Sequence, residues 1–185
     1  RPPNEQDLAA LDAAEKMLAE NWDRWEDMRL IPTENIPEGH KTREPLRVGF
    51  SRWCDLFTPR QLLGHLFLVE ELNRLKPEIL QKLGPEKGKA VVTYLQFAID
   101  KGVDYNSRQT RWIPQRGQVS GTFGRHDFSL KWTFGEMIFC GPNSGAAWGL
   151  SQILDAYKGI AELLEPVRKA TGGNPPLTLL HGTAA

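Results

Sequence analysis

The sequence predicts a mainly α-helical domain that carries one long loop rich in arginine and aromatic residues, with one or two short strands. Three observations support this fold class. Apolar residues recur at helical spacing in four long segments, a capping residue or a proline stands where most of these segments begin, and the stretch 103–143 shows no clear periodicity. With 185 residues the chain is long enough to bury one sizeable core.

The N-terminal segment predicts an acidic helix within residues 1–29. Asn4 is suited to cap the first turn, and a rough apolar stripe follows from about Glu5 to Met28. The next stretch, 31–45, contains three prolines, so we expect an extended connector there.

Three further helices are predicted after the connector. The first begins at Thr58, where a hydroxyl side chain precedes a proline, and Pro77 is expected to kink this helix or to begin a new one. Another helix begins at Pro85. The last helix, at about 144–169, has the most regular apolar period of the four.

Two strands are predicted outside these helices. One is expected near 128–132, inside the aperiodic stretch. The other is the apolar run at the C-terminus, within residues 174–185. A single strand is not stable alone, so its partners are expected in sequence that is not included here.

The net charge is zero, but the charges are unevenly placed. Residues 1–38 hold four basic and ten acidic residues, a balance of −6, whereas 101–131 hold six basic and two acidic residues, a balance of +4. Zero net charge argues against a protein that binds nucleic acid over its whole surface. The local excess favours contact between 101–131 and an anionic partner, and docking of the acidic end on another part of a larger protein.

The candidate binding residues lie in the aperiodic stretch, where arginine and aromatic side chains are interleaved. They are Arg108, Arg111, Trp112, Phe123 and Arg125. Arginine can hold a phosphate group through two parallel hydrogen bonds, and aromatic rings can stack on bases, so the pattern is typical of a nucleic-acid contact. A structural interpretation stays open. In it, Arg108 would pair with Asp104 and Arg125 with Asp127, so that both pairs brace the loop. Trp112 and Trp132 would then lie in the core.

The sequence contains no catalytic signature of its own. The GxSxG, HExxH, Walker A and GxGxxG patterns do not occur in it. Two cysteines cannot complete a four-thiolate zinc site, and the four histidines are not spaced as a ligand pair. We therefore expect no catalytic, cofactor-binding or metal-binding residues in this chain.

Five segments, in this order, resemble one known family. They are LIPTENIPEG at 30–39, GFSRWCDLFTPRQLL at 49–63, DYNSRQTRW at 104–112, TFGRHDFSLKWTFGEMIF at 122–139 and GAAWG at 145–149. Together they resemble the large adenine-specific DNA methylases that contain a zinc-ribbon-like element. The resemblance covers roughly 30–185. It is weaker at 128–139, where the family more often has a sequence like PMVWDFAE and only Trp132, Phe134 and Glu136 match.

The resemblance implies an internal segment of an N6-adenine DNA methyltransferase, located between its cofactor-binding motif and its DPPY motif. Residues 1–29 would be an acidic helix, 30–173 a helical insertion domain with an ordered loop at 103–143, and 174–185 the start of a strand in a Rossmann-like methyltransferase sheet. The parent, meaning the longer protein that contains the chain, would use S-adenosylmethionine and, in its ribbon, zinc. Both motifs lie outside this segment, so we expect it to be inactive alone.

The resemblance also implies where the chain acts and what it contacts. Its partners would be the remainder of the parent and duplex DNA, from which the parent would flip an adenine. We expect a cytoplasmic location, because no apolar run is long enough for a membrane span and the N-terminus does not read as a signal peptide.

A non-catalytic function is the alternative. The chain would then be an interaction or scaffold domain of a restriction- or phage-defence-type system. Its contact surface would be the acidic first helix, with Trp22 or Trp25 exposed.

Overall fold

The computed structural model describes residues 1–124, 133–141 and 144–173. In chain order the elements are α1 (Glu5–Asp27), α2 (Arg43–Arg47), a 3₁₀ turn (Trp53–Leu56), α3 (Pro59–Leu83), α4 (Pro85–Tyr105), β1 (Arg111–Ile113), β2 (Gln118–Ser120), a second 3₁₀ turn (Thr122–Gly124), β3 (Cys140–Gly141) and α5 (Gly145–Ala170). The prediction of a mainly helical fold is confirmed.

The structure tests neither of the two strand predictions. Residues 128–132 and 174–185 lie outside the described residues. Within the described part of the chain, β1 and β2 pair as a two-stranded antiparallel sheet, and no Rossmann-like sheet forms. The strand of a methyltransferase sheet therefore stays a prediction.

The four long helices begin where the sequence predicts, to within one residue, and two of them, α1 and α3, are capped in the same reciprocal way. The Asn4 side chain accepts a hydrogen bond from the backbone N–H of Asp7, and the Asp7 carboxylate accepts one from the N–H of Asn4, each at 2.9 Å. Thr58 and Gln61 form the same pair at the start of α3, at 3.3 and 2.9 Å. Each pair satisfies two N–H groups that have no partner inside the helix.

α3 continues through Pro77, so the expectation that this proline begins a new helix is wrong. The break comes at Gly84, immediately before the proline that opens α4, and the predicted helix start at Pro85 is confirmed. Gly84 has a φ of 75°, a conformation that favours glycine because it has no Cβ. The chain therefore turns sharply there, and α3 and α4 pack against each other.

The core lies where α1 packs on α3 and the connector closes over them. Its buried members are Leu18, Trp25, Ile31, Cys54, Leu62 and Leu66. Trp25 has no exposed surface. Its indole N–H donates to a carboxylate oxygen of Glu70 at 3.0 Å, and its ring meets Phe67 edge-on at 5.5 Å. Trp22 is half-buried beside it, so the expectation of a tryptophan-based contact surface on α1 is wrong for Trp25.

α5 lies against α4 through a close backbone approach. A Cβ built at Gly149 would be 2.8 Å from the carbonyl oxygen of Ala98, so glycine is required for this contact. The rings of Tyr94 and Tyr157 add an edge-on contact at 5.4 Å.

The outer side of α5 is apolar and exposed. This α5 stripe comprises Leu150, Leu154, Ile160, Leu163, Leu164 and Val167. α5 is not a membrane-spanning helix, since no helix in the described residues combines the length and the hydropathy needed to cross a bilayer. The exposure of these side chains shows that α4 does not cover the stripe.

Candidate nucleic-acid interface

The loop that the sequence predicts at 103–143 contains a β-hairpin at its most basic part. β1 and β2 pair antiparallel, with Trp112 opposite Val119. The N–H of Arg116 donates to the carbonyl of Ile113 at 3.1 Å, and Gly117 follows with a φ of 58°. Pro114 stands second in this turn, a position that its fixed φ suits. These local features give the hairpin tip a defined backbone.

A buried polar hub holds the root of the hairpin. Its members are Asn106, Ser107, Gln109 and Thr110, all of them buried. Their side chains face the protein interior although they are polar, so each needs hydrogen-bond partners from neighbouring segments. The hub is therefore the place where the hairpin is fixed to the helices.

Asn106 ends α4 and joins three segments. Its backbone leaves the helical conformation at φ −136° and ψ 76°. Its side-chain oxygen accepts a hydrogen bond from the backbone N–H of Met137 at 2.9 Å, and its side-chain amide donates one to the carbonyl of Gly102 at 3.4 Å. Its backbone carbonyl accepts a hydrogen bond from the His65 imidazole at 2.9 Å. One residue thereby connects α4, α3 and the 133–141 segment.

His65 is buried at 5% exposure and lies between the rings of Phe57 and Phe139. Its Nε2 donates to the Asn106 carbonyl, which leaves Nδ1 as a buried acceptor without a protein partner. Burial lowers the pKa of His65, and the hydrogen bond to Asn106 opposes this effect only in part. The imidazole is therefore neutral and structural, as its apolar surroundings require.

Ser107 and Thr110 hold the two ends of the hairpin together. The hydroxyls of Ser107 and Thr122 are 2.7 Å apart, and the Thr122 hydroxyl also donates to the carbonyl of Asp104 at 2.8 Å. The Thr110 hydroxyl contacts the carbonyls of Ser107 and Gly135. Because Thr110 precedes β1 and Thr122 follows β2, both strands are anchored at the same place.

Asp104 acts on the second 3₁₀ turn and not as a partner of Arg108. Its carboxylate accepts from the backbone N–H of Phe123 at 2.9 Å. A Cβ at Gly121 would lie 2.5 Å from this carboxylate, so the glycine makes room for the bond. The alternative interpretation is wrong for the Arg108–Asp104 pair and for Trp112, which is 52% exposed. Its other parts, the Arg125–Asp127 pair and Trp132 in the core, lie outside the described residues.

Three of the five predicted residues present their side chains to solvent at the hairpin. Arg111 is exposed in β1, Trp112 follows it with half of its surface accessible, and Phe123 is 71% exposed in the 3₁₀ turn after β2. Consecutive strand residues point to opposite faces, so Arg111 and Trp112 lie on different sides of the ribbon. Arg116, which is not among the five predicted residues, is exposed at the hairpin tip.

Arg108 is not part of this exposed set. Its backbone N–H donates to the carbonyl of Leu56 at 2.8 Å, and its guanidinium lies over the ring of Phe50 at 5.3 Å. The structure therefore places it beside the 49–57 turn, although it is only three residues from Arg111. Arg125 lies outside the described residues.

The described residues offer nothing that fits a metal ion or S-adenosylmethionine. They contain no cluster of three or more histidine, cysteine, aspartate or glutamate side chains that could hold a metal. Their only paired strands form the short antiparallel hairpin, so a parallel strand followed by a glycine-rich turn is not present in this part of the chain.

Comparison with known protein families, curated proteins and solved structures finds no match for this chain. The site must therefore be interpreted from its own chemistry. That chemistry is an anchored two-stranded ribbon with exposed cationic and aromatic side chains.

Proposed function

We propose that this chain is a helical insert of an adenine-specific N6 DNA methyltransferase and that its β1–β2 hairpin contacts duplex DNA. The observation that carries the DNA contact is the exposure of Arg111, Trp112 and Phe123 on a hairpin whose root is fixed by buried polar residues. The methyltransferase assignment is supported by the order of the five sequence segments.

The hairpin has the right shape for a groove. A two-stranded ribbon fits the major groove of B-DNA, where side chains from both faces meet the walls. Arg111 on one face would bond a phosphate, while Trp112 on the other would contact bases or sugars. Arg116, at the tip of the hairpin, would reach farthest into the groove. A ribbon on a rigid root loses little conformational entropy when it binds.

No step of methyl transfer is assigned to this chain. Its described residues do not fit S-adenosylmethionine or zinc, so the parent would have to supply both from elsewhere. The insert would support the catalytic domain and hold the DNA, and alone it would bind DNA without methylating it.

The DNA contact can be tested on this chain with a fluorescein-labelled duplex and fluorescence anisotropy at several salt concentrations. Arg111→Ala and Arg116→Ala should each weaken binding and reduce the slope of log Kd against log salt by about 0.9, the value for one lost phosphate contact. Lys87→Ala is the matched control, since it removes an exposed charge from α4. If affinity and slope stay unchanged in folded hairpin variants, the hairpin does not contact DNA.

The methyltransferase assignment needs the parent protein. Purified parent, duplex DNA and S-adenosylmethionine should yield N6-methyladenine, detected by mass spectrometry of the digested nucleosides. Hairpin variants should lower the yield of N6-methyladenine at subsaturating DNA, because they weaken DNA binding only. A high DNA concentration should bring the yield back to that of the unmodified parent. A parent that binds DNA through the hairpin but forms no methyladenine would exclude the enzyme and leave the contact standing.

The second candidate is an interaction domain, and the α5 stripe favours it. Apolar side chains that α4 leaves exposed along one helix are typical of a surface that another protein part covers. Leu154→Glu should abolish association with the rest of the parent, measured by co-purification of the two separately expressed parts, whereas Lys158→Glu on a more polar side of α5 should not.

A further inference from the structure

A cleft beside Arg108 combines two arginines with three aromatic rings. It has a volume of about 510 Å³ and lies between α1, the 49–57 turn and the start of α3. Trp22, Phe50, Arg52 and Arg108 are among the residues that line it. We refer to it as the arginine cleft.

We propose that the arginine cleft binds a phosphate group, held by Arg108 and Arg52. This proposal does not rest on the hairpin contacting DNA. A phosphate carries several acceptor oxygens and a negative charge, and arginine can bond two of those oxygens at once with its planar fork.

The main support for a phosphate site is that the Arg108 guanidinium lacks hydrogen-bond and ion-pair partners among the described residues. Its guanidinium is partly buried, its Nε has no hydrogen-bond partner, and it forms no ion pair with any described residue. A buried donor on a charged group without an acceptor is unfavourable and rare in folded proteins. Because Arg108 lines the cleft, an anion bound there would neutralise its charge and accept from the outer N–H groups of the fork, whereas the buried Nε itself faces away from solvent.

Both arginines are held in position before a ligand arrives. The Arg108 backbone is fixed by its bond to the Leu56 carbonyl and by the buried residues on either side. Its guanidinium lies over Phe50 at 5.3 Å, and that of Arg52 lies over Trp22 at 5.9 Å. Rings that support the flat faces of the two guanidinium groups leave their N–H edges available, which lowers the entropy lost on binding.

One acidic residue lines the cleft, and its charge is already satisfied. A carboxylate oxygen of Asp55 accepts from the backbone N–H groups of Ser51 and Arg52 at 2.9 and 2.8 Å. Burial alone would raise the pKa of Asp55, but these bonds and the Arg52 guanidinium outweigh it and hold the pKa below its ordinary value. The Arg52–Asp55 ion pair is long, at 3.6 Å, and Arg52 stays 42% exposed. Arg52 is therefore accessible to an anion from solution.

The test is a titration of the ¹⁵N-labelled chain with inorganic phosphate, at ionic strength held constant with chloride. The amide signals of Phe50, Ser51 and Arg108 should shift and saturate. Arg108→Gln and Arg52→Gln should each raise the apparent Kd by about tenfold or more, the loss expected for a charge-assisted pair of hydrogen bonds. The Arg52 side chain is 42% exposed, whereas the Arg108 Nε is buried, so the Arg52 variant keeps the test valid if the other fails to fold.

Two arginine variants outside the cleft serve as controls. Arg47→Gln lies on α2 and Arg111→Gln on the hairpin, and both should leave phosphate affinity unchanged. Since Arg111→Gln weakens the proposed DNA contact only, it also separates failure of the cleft from failure of the hairpin. Equal losses in all four variants would mean diffuse charge attraction and would overturn the cleft as a specific site.

The source of the phosphate is distinguished by further titrations with adenosine 5′-monophosphate and with duplex DNA. Saturation by the monophosphate, sensitive to Arg108→Gln, supports a site for phosphate monoesters. Cleft shifts with duplex alone, sensitive to the same variant, support a site for the phosphodiester backbone. If none of the three probes shifts the cleft signals, the proposal is wrong.

Discussion

Two regions of this protein contain comparable apolar helix faces, and only one of them is buried. Where α1 meets α3, the connector closes a third side, and Trp25 and Leu66 retain at most 2% of their surface. α5 packs on α4, but the side chains of the α5 stripe remain between 38% and 75% exposed. The amphipathic pattern of a helix therefore shows which face is apolar but not what covers it.

The largest expected effect is the removal of the indole at the centre of the buried region. Trp25→Ala should lower the free energy of unfolding by about 3–5 kcal/mol, because it leaves a cavity and strips Glu70 of a hydrogen bond. Leu163→Ala in the α5 stripe, 75% exposed, should change it by less than about 0.5 kcal/mol. Both values come from urea unfolding followed by circular dichroism.

The same pair of variants can contradict the comparison. If Leu163→Ala lowers the free energy of unfolding as much as a core substitution does, a second copy of the chain must cover the stripe in solution. In that case the loss should fall as the protein is diluted, since dissociation would already have exposed the stripe.

A smaller effect is expected at the polar hub. Asn106→Ala removes the acceptor for the partly buried N–H of Met137 and should cost about 1–3 kcal/mol. Hydrogen exchange of the 111–120 amides should accelerate more than that of α1, because the hub anchors the hairpin. The exposed Asn73→Ala on α3 is the control. Uniform acceleration along the chain would show that the hub supports the whole fold and not the hairpin in particular.

Helix starts were predictable from the sequence because their signals are local. Asn4 with Asp7 and Thr58 with Gln61 carry the capping side chains within a few residues of the N–H groups that they satisfy. The hairpin had a local signal as well, in the proline and glycine that flank its tip at 114–117, but the strands beside it are only three residues long. Strands this short show no readable alternation, so the stretch is interpreted as a loop.

The sequence could not show in the same way which of the candidate arginines faces solvent and which packs against the protein. Arg108 and Arg111 stand in similar sequence surroundings, but one faces the Phe50 ring and the other faces solvent. The cause is tertiary: the Leu56 carbonyl, more than fifty positions away, receives the Arg108 N–H. The buried histidine is a similar case, because only the structure shows that Asn106 ends α4 against it.

His65 provides a pH test of the buried region. Its pKa is lowered in the folded state, so the unfolded chain binds the proton more readily below the ordinary value of 6.5. Stability should be independent of this group above that pH and fall as the pH drops below it, by at most about 1.4 kcal/mol per pH unit. Urea unfolding between pH 7.5 and 5.5 should show a shallower loss for His65→Gln than for the wild type.

The control for this test is His40→Gln, which removes an exposed histidine. A His65→Gln variant that loses stability with acid as steeply as the wild type would show that other groups cause the acid sensitivity. The burial of the imidazole would then have no consequence for folding between these pH values.

The smallest effects compare the two capping pairs. Thr58→Ala should cost about 1 kcal/mol, since α3 enters the core within one turn of its cap, at the buried Leu62. Asn4→Ala removes the same kind of cap, but the first turn of α1 contributes nothing to the core, and α1 can lose that turn without exposing Leu18. We expect a loss of less than about 0.5 kcal/mol and faster exchange at Asp7 and Leu8 only. Equal losses at both caps would mean that capping energy is independent of what the helix packs against.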